Sequence, residues 1–415
     1  MIELHQLIKQ YGQPDALIDH WDATSNCYAI WGFDEEFLIN NNGTAMLNGI
    51  PIAGTPIQIL QNSLDRWKKD SIELAAVGYI SYDLKNILFP HIKFTLMEKV
   101  EPLLWFGKPR ITMLYNIAES DMPESMPKIK ILKDLPHPEE YEKSIHKIKR
   151  HLEKGEAYQI NFTQPKEYQI YGNPFDLYMS MRECIQPHYG MYLNLGNMQI
   201  LSFSPERFFR TSNDTIESFP MKGTRPRSDD IIDDDRLSGE LYHSEKDRAE
   251  HLMIVDLIRN DIGKVCEYDS VKVDNLYSIE SFKTVHQMVS RVHGELNHSM
   301  REIDIIQALF PGGSITGAPK ERAMKIIDSL EDYQRGVYTG ALGSIFSNGA
   351  MDFSIAIRTM SINDNVATYP VGGGIVWDSD PLDEWQEAQQ KSRIIDMYQN
   401  NFAKDQSELE FFPNI

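Results

Sequence analysis

The sequence predicts an α+β fold with mostly antiparallel sheets, and three observations lead to this. Apolar residues recur with helical spacing in some segments and with strand spacing in others. Several predicted strands follow one another directly, without the strand–helix alternation of parallel α/β folds. The apolar content of 41% is that of an ordinary globular protein, so these segments have a core to pack into. The 415 residues favour two or three domains, although one large α+β unit also fits that length.

The charge and the cysteines exclude several classes of protein. A formal net charge of -20 argues against a nucleic-acid partner and disfavours an anionic membrane surface. Cys27, Cys184 and Cys266 are too far apart for a cysteine zinc site or a disulfide framework. The first residues have no apolar signal region, and no apolar run reaches the ~18 residues of a membrane span. We therefore expect a cytoplasmic protein.

The N-terminal part, residues 1–136, is predicted to contribute strands and one helix to the same fold as the rest. CYAIWGFDEEFLIN indicates a hairpin, TPIQILQNSLDRWKKD a helix and AAVGYISYDL a buried strand. Residues 119–138 are rich in proline and charge and are interpreted as a connector. They precede the main region, residues 137–400, which is followed by a C-terminal tail, residues 401–415.

The main region opens with a helix and continues mostly with strands. Tyr141, Ile145, Ile148 and Leu152 mark one helical face, and Gly155 stands where a C-terminal cap belongs. Later segments predicted as strands are YQINFTQ, GMYLNLGNMQILSFS, ERFFRTSNDTIESF (with a turn at Asn213 and Asp214), VYTGALGSIFSNG, MDFSIAIRTMSIN and VATYPVGGGIV.

Two further helices have clear start signals. The first begins at Ser244, because Ser244 and Asp247 form the Ser-x-x-Asp pattern of a capping box. The second begins at Asp380, a good cap followed by proline at the first helical position.

The last helix carries Glu384, Glu387 and Lys391 within an arc of about 60°. This stripe fits a salt-bridged solvent face, which is the commoner meaning, or a magnesium carboxylate site with a lysine for an anionic substrate. It directly follows a triple glycine, whose backbone N–H groups can approach a ligand closely.

Other candidates are less specific on their own. Glu250 lies in an otherwise apolar helix, where it is either a capping carboxylate or a partner of Glu387 on a shared Mg²⁺. PGGSITGAP fails the phosphate-loop pattern and is more simply a loop before a helix. Arg358 lies in an apolar strand pattern, so we expect its charge to meet an anion or a salt-bridge partner. The acidic residues 229–235 are interpreted as a solvated loop.

The stretch PMKGTRPR, residues 220–227, places Lys222, Arg225 and Arg227 between two prolines. It is either a flexible basic loop or a rigid cationic turn that holds a reactive amine, and these residues alone do not separate the two.

Together the motifs resemble those of the chorismate-utilising enzymes. The chain carries them in the family's order: GEAYQINFTQ, SPERFF, PMKGTRPR, DRAEHLMIVDLIRNDIG, GGSITGAPKERAM, GVYTGALG, IAIRT, GGGIVWDS and DEWQEAQQK. The resemblance is dense over residues 137–398 and looser before them. It implies one large α+β domain with two sheets packed together, helices outside, and chorismate bound with Mg²⁺ in a deep cleft.

The resemblance also implies roles for individual residues. Glu250 and Glu387 are expected to bind Mg²⁺, with Glu384 beside them. The expected chorismate contacts are Tyr338, Arg358, Gly372, Gly373, Gly374 and Lys391, with Thr316 and His286 lining the ring.

Two positions separate the activities within the family. Isochorismate and salicylate synthases have a lysine general base where this chain has Gln159, so those activities are not expected. Anthranilate synthases usually have alanine where this chain has Lys222, whereas aminodeoxychorismate synthases have lysine. The resemblance therefore implies that Lys222 is a nucleophile and Glu206 a general acid, in the amination of chorismate to 4-amino-4-deoxychorismate, the first step of p-aminobenzoate and folate synthesis. We expect Arg225 or Arg227, together with burial, to lower the pKa of Lys222.

The ammonia is expected to come from a separate glutamine amidotransferase subunit, since the chorismate motifs leave no room for such a domain. Anthranilate synthase component I remains the alternative enzyme, although FLINNNG replaces the tryptophan-binding element common there. A non-catalytic scaffold is a third reading. The complete set of Glu206, Lys222, Glu250, Glu387 and Lys391 counts against it.

Overall fold

The computed structural model describes residues 2–21, 26–95, 101–117, 123, 126–212, 214–282 and 285–399. Its helices are α1 (Leu4–Tyr11), α2 (Pro56–Asp70), α3 (Lys85–Leu88), α4 (Pro138–Glu153), α5 (Pro174–Ile185), α6 (Ile231–His243), α7 (Glu245–Gly263), α8 (Glu302–Leu309), α9 (Lys320–Leu330) and α10 (Pro381–Lys391), with a 3-10 turn at Tyr82–Leu84. Its strands are β1 (Ile2–Glu3), β2 (Ala16–Asp19), β3 (Cys27–Ile39), β4 (Ala45–Leu47), β5 (Ile50–Ile52), β6 (Leu74–Ile80), β7 (Leu104–Asn116), β8 (Lys128–Lys133), β9 (Gln159–Tyr171), β10 (Tyr189–Asn194), β11 (Met198–Ser204), β12 (Arg207–Ser212), β13 (Thr215–Ser218), β14 (Met221–Pro226), β15 (Lys272–Ser281), β16 (Val285–Glu295), β17 (Gly317–Ala318), β18 (Ala341–Phe346), β19 (Met351–Ile355), β20 (Thr359–Asn363) and β21 (Val366–Ile375).

All of these strands belong to one hydrogen-bonded network that is folded into two layers. The first layer runs β8–β9–β21–β20–β11–β10–β2, and the second runs β6–β18–β19–β12–β13–β16. The long strands β3 and β7 pair with each other and join the layers, through β2 on one side and β6 on the other. The predicted α+β fold with antiparallel sheets is confirmed, and the two sheets turn out to be continuous.

The side chains of both layers meet in a core between them. Met191 from the first layer and Ile30 from the connecting strand β3 pack there with Val77 and Leu342 from the second layer. Because side chains alternate across a strand, the neighbouring Ala29 faces the opposite way, into the core beneath the outer helices. Helices α2, α7 and α8 cover the second layer, while α1, α5 and α10 cover the first. The expected arrangement of helices outside is therefore present.

The N-terminal part differs from the prediction in two places. Residues 27–39 form one long strand rather than a hairpin, because Gly32, at φ 69°, and a register shift between Phe33 and Glu35 bend the chain without reversing it. The connector contains β8, which pairs with β9. Strands β2 and β6 pair with β10 and β18, so the two parts of the chain share one sheet network.

The segment MDFSIAIRTMSIN is also not the single strand that was predicted. It breaks into β19 and β20 at residues 356–358, where Arg358 has a φ of 50°. Strands β11 and β12 break opposite, around Glu206. The paired breaks let both strands pass from one layer to the other, and they place Glu206 and Arg358 at that crossing.

The predicted helix signals are confirmed. The Ser244 side chain accepts a hydrogen bond from the Asp247 N–H of α7, and Asp380 caps α10 in the same way. Tyr141 and its partners on α4 are buried, and Gly155 has the left-handed φ of 69° after that helix. No helix in the described part of the chain is long and apolar enough to span a membrane. The tail, residues 401–415, lies outside the described residues.

Candidate active site

The acidic stripe of α10 faces the triple glycine of β21. The Lys391 ammonium donates to the Gly372 carbonyl at 2.7 Å and pairs with Glu387 at 2.7 Å. A Cβ atom at Gly373 would lie 3.2 Å from Glu384 Oε2, so only glycine leaves this space open. Burial raises the pKa of Glu384, whereas Lys391 lowers that of Glu387.

Lys222 joins this group of carboxylates from the other side. Its Nζ lies 3.1 Å from Glu250 Oε2 on α7. Burial alone would lower the pKa of Lys222, but the carboxylates, Glu250 first and then Glu387 and Glu384, outweigh burial and raise it. Lys222 is therefore an ammonium ion among three acids, which corrects the expectation of a lowered pKa.

The two arginines of the PMKGTRPR segment turn away from Lys222, so they cannot depress its pKa as expected. Arg225 donates to Asp247 at 2.9 Å, and Arg227 forms a fork with Asp234. The segment is strand β14 on β16 rather than a turn. Its register shifts at Gly223, where φ is 81° and where a Cβ would come within 2.9 Å of Leu241 on α6. The bulge aims Lys222 at Glu250 while β14 stays paired.

The acidic residues 229–235 form the start of α6 instead of a solvated loop. Asp230 caps the helix by accepting from the Asp233 N–H. Asp234 anchors it, since it also lies 2.9 Å from His286 Nε2. His286 is 2% exposed, and its other ring nitrogen is 2.9 Å from the Ser281 hydroxyl. The histidine is thus committed to protein partners on both sides, and its predicted contact with a substrate ring stays a prediction.

Glu206 occupies the break between β11 and β12 and borders a cavity of about 320 Å³. The Ser314 hydroxyl donates to Glu206 Oε1 at 2.9 Å. Burial raises the pKa of Glu206 to about 7, while the Ser314 hydrogen bond and the charge of Lys222 partly oppose this. A carboxyl with a pKa near 7 is about half protonated at neutral pH, which suits a general acid. Ser314, within the GGSITG motif, was missed because its loop position says nothing about its target.

The remaining expected substrate contacts lie on three segments around β9. Thr316 is fully buried and donates to the Gly312 carbonyl at 2.9 Å, while its own carbonyl accepts from the Asn161 N–H. Tyr338 is 7% exposed, and burial raises its pKa. Gln159 on β9 lies against Gly374, and its buried Oε1 has no hydrogen-bond partner among the described residues. These residues supply polar groups beside the triple glycine.

The surroundings of the Arg358 side chain differ from those predicted. Its side chain is exposed at the strand break rather than enclosed in a strand, and no described carboxylate forms an ion pair with it. Its charge acts on the buried Tyr369, whose pKa it lowers against the stronger effect of burial. Within the described part of the chain, Arg358 is a cation available to an anionic ligand.

The chemistry of the three carboxylates suits a hard divalent cation, whereas their present spacing suits it less. Glu250, Glu384 and Glu387 offer only carboxylate oxygens, the donors that Mg²⁺ prefers, and all three act on the same ammonium. The space over Gly373 that a Cβ would fill is open. No group of three ligand side chains among the described residues is gathered closely enough to hold a metal, because Lys222 pairs with Glu250.

Comparison with known proteins identifies the family. The chorismate binding enzyme family matches residues 15–396, nearly the whole chain. The chain belongs to the chorismate binding enzymes. Over 258 residues it is 41% identical to aminodeoxychorismate synthase component 1 of Escherichia coli, a match that covers 62% of this chain and 57% of the relative. It is 39% identical over 255 residues to anthranilate synthase component 1 of Saccharolobus solfataricus, with 61% of each chain covered.

Solved structures of the family agree with the fold. Anthranilate synthase component I of Streptococcus pneumoniae superposes with a TM-score of 0.78 at 26% identity, covering 91% of this chain and 93% of that one. The matched region spans about three fifths of the first curated relatives, 61% and 57% of their lengths. The family of the chain is thus established. Relatives with both activities have similar identity to this chain, so sequence identity does not distinguish between the two reactions.

Proposed function

We propose that this chorismate binding enzyme aminates chorismate to 4-amino-4-deoxychorismate, with Lys222 as nucleophile and Glu206 as general acid. The observation that carries the proposal is the position of Lys222. Its ammonium pairs with Glu250 at 3.1 Å, and its charge also acts on the Glu206 carboxyl. An amine and a protonated acid that act on one another suit a displacement in which one attacks as the other protonates the leaving group.

The proposed reaction proceeds in two displacements. The Lys222 ammonium separates from Glu250 and gives its proton to solvent, and the neutral amine forms a bond to ring carbon 2. Both ring double bonds shift toward carbon 4, and the hydroxyl there departs as water with the proton of Glu206. An ammonium ion then leaves its proton on the Glu206 carboxylate, and the resulting ammonia attacks carbon 4. Both double bonds return, the bond between carbon 2 and the Lys222 nitrogen breaks, and the freed amine takes up a proton from solvent, so the protein returns to its starting state.

The proposal includes a magnesium site. Glu250 and Glu387, with Glu384 beside them, would hold Mg²⁺, which supplies positive charge for the ring carboxylate of chorismate. Arg358, Lys391 and the N–H groups of the triple glycine supply the remaining positive charge for a dicarboxylate in a chain of net charge -20. The hydrogen bond to the Gly372 carbonyl positions the Lys391 ammonium for contact with a substrate carboxylate.

The ammonia source is proposed to be a separate glutamine amidotransferase subunit. Relatives named component 1, in both the aminodeoxychorismate and anthranilate groups, support a multi-subunit enzyme by their names. The second candidate function is that of anthranilate synthase component 1, supported by relatives of comparable identity. Lys222 favours the first candidate, because anthranilate formation by ammonia addition and pyruvate loss has no need of an amine at this position.

The deciding experiment incubates the purified protein with chorismate, Mg²⁺ and a high ammonium concentration and identifies the products by mass spectrometry. Aminodeoxychorismate that retains the pyruvyl group supports the proposal. Anthranilate with free pyruvate would replace it by the second candidate. If neither forms, the assay is repeated with glutamine and an added glutaminase subunit, and failure there would overturn both.

A further inference from the structure

We infer that a buried ion pair, Arg335 with Glu331, is the positioning element that holds three substrate-binding segments in register. The inference rests on the proposed use of chorismate but not on its amination. The two side chains are 1% and 2% exposed, and the guanidinium forms two parallel hydrogen bonds to the carboxylate, at 2.8 and 2.7 Å. Such a fork is rigid, because both partners are planar and both bonds fix the same orientation.

The donors that remain on Arg335 reach three different segments. It donates to the Ile315 carbonyl at 2.9 Å, to the Thr339 hydroxyl at 3.2 Å and to the Asn161 carbonyl at 2.8 Å. With the two bonds to Glu331, all five guanidinium N–H donors have an acceptor. A lysine has three donors and no fork, so it cannot reproduce this set.

In each of these segments, an expected substrate contact is either adjacent in sequence or lies opposite on the paired strand. Ile315 precedes Thr316, and Thr339 follows Tyr338. Asn161 pairs with Gly374 in the β9–β21 ladder. The Arg335–Glu331 ion pair thus connects the segments that carry Thr316, Tyr338 and the triple glycine. It does not itself belong to the residues expected to contact the substrate.

Glu331 extends the connection on β9. Its Oε1 accepts from the N–H and the hydroxyl of Thr163, at 2.9 and 2.8 Å, and Thr163 pairs with Gly372. Gly372 and Gly374, the two ends of the triple glycine, are therefore paired with Thr163 and Asn161, and both of these residues are hydrogen-bonded to the ion pair.

The bond to Thr339 fixes an unfavourable backbone conformation. Thr339 has a φ of 58°, which a β-branched residue adopts only when its surroundings impose it. Its hydroxyl accepts from Arg335 and donates to the Tyr338 carbonyl at 2.6 Å. The orientation of the Tyr338 peptide therefore depends on Arg335.

The test compares Arg335→Lys with Arg182→Lys. Arg182 is a matched control, since it is also fully buried and paired with an aspartate, Asp19, but in the core under α5. Chorismate binding is measured by calorimetry at a temperature where circular dichroism shows both variants folded. Direct binding separates this inference from the amination, which can fail without affecting it.

We expect Arg335→Lys to raise the chorismate dissociation constant by about 10- to 100-fold, because the binding groups shift relative to one another. Arg182→Lys should change it by less than about twofold, since the hydrogen bonds described for its ion pair join it to Tyr115 and Tyr178, outside the binding segments. In the Arg335→Lys/Tyr338→Phe double variant the losses should not add, because Arg335 acts in part through Tyr338.

Equal dissociation constants for wild type and Arg335→Lys would overturn the inference, as would equal losses in both lysine variants. If Arg335→Lys does not fold, Thr339→Val removes the hydroxyl at nearly constant shape and should still weaken binding. Wild-type affinity in Thr339→Val would then reject the role of the fork.

Discussion

Lys222 and Glu250 form an ion pair of 3.1 Å between β14 and α7, and this contact brings the proposed nucleophile to a proposed metal ligand. The pair also explains why Lys222 remains an ammonium ion in spite of its burial, since Glu387 and Glu384 add to the effect of Glu250. A nucleophilic role therefore requires that substrate or cation binding separates the two residues. This requirement makes Lys222 the first residue to test.

Replacement of Lys222 by alanine should lower aminodeoxychorismate formation by about 10³-fold or more, because the variant lacks the amine proposed to attack carbon 2. Chorismate binding should change far less. The measurement is the ammonia-dependent rate, followed by product mass. Lys272→Ala, at an exposed position of β15, is the control that removes a lysine without touching the site. A Lys222→Ala variant with the wild-type rate would eliminate the covalent step.

The raised pKa of Glu206 predicts the alkaline limb of the pH profile. A general acid works in its protonated form, so kcat/KM for chorismate should fall as the pH rises through about 7. Glu206→Gln should lose about 10²-fold or more in kcat/KM and should not show this limb. The rate is measured between about pH 6 and about 9, with chorismate well below its KM at each point.

Ser314→Ala should shift this same limb to higher pH. The Ser314 hydroxyl donates to Glu206 at 2.9 Å and so favours the ionised carboxyl. Its removal raises the pKa further, in the direction in which burial already acts. An unchanged or lowered limb in this variant would show that another group titrates.

Gly373→Ala should weaken the proposed magnesium site. The new methyl group would lie 3.2 Å from Glu384 Oε2, so that carboxylate must shift away, and it would be in ordinary contact with Glu387 Oε1 at 3.5 Å. We expect the Mg²⁺ concentration for half-maximal activity to rise by about 10-fold. Gly239→Ala on α6 is the matched control, because a Cβ there meets nothing within 4 Å. Equal magnesium dependence in both variants would place the cation elsewhere.

A large part of the fold could be predicted from local patterns. The caps at Ser244 and Asp380 and the buried face of α4 depend on residues within one or two turns of each other, so neighbouring side chains specify them. The stripe of Glu384, Glu387 and Lys391 follows from helical geometry alone. The sequence shows only that the stripe follows the triple glycine along the chain, and the close approach at Gly373 is a finding of the structure.

The wrong predictions concern contacts between distant segments. Residues 27–39 show the alternation of a hairpin, yet β7 is their partner, and no local signal reveals that pairing. The acidic run at 229–235 is a helix start in which Asp234 pairs with Arg227 and forms a hydrogen bond with His286. Composition alone cannot show that partnership.

The sequence by itself determined the fold class, the starts of α7 and α10, the buried face of α4 and, through its motifs in order, the family and the set of candidate residues. Only the tertiary structure decided how these residues act on each other. It turned Arg225 and Arg227 away from Lys222, placed three carboxylates around that amine, and joined three binding segments through Arg335. The physical reason is that pKa values and hydrogen-bond networks depend on distances and burial across the fold, and residue order along the chain does not encode these directly.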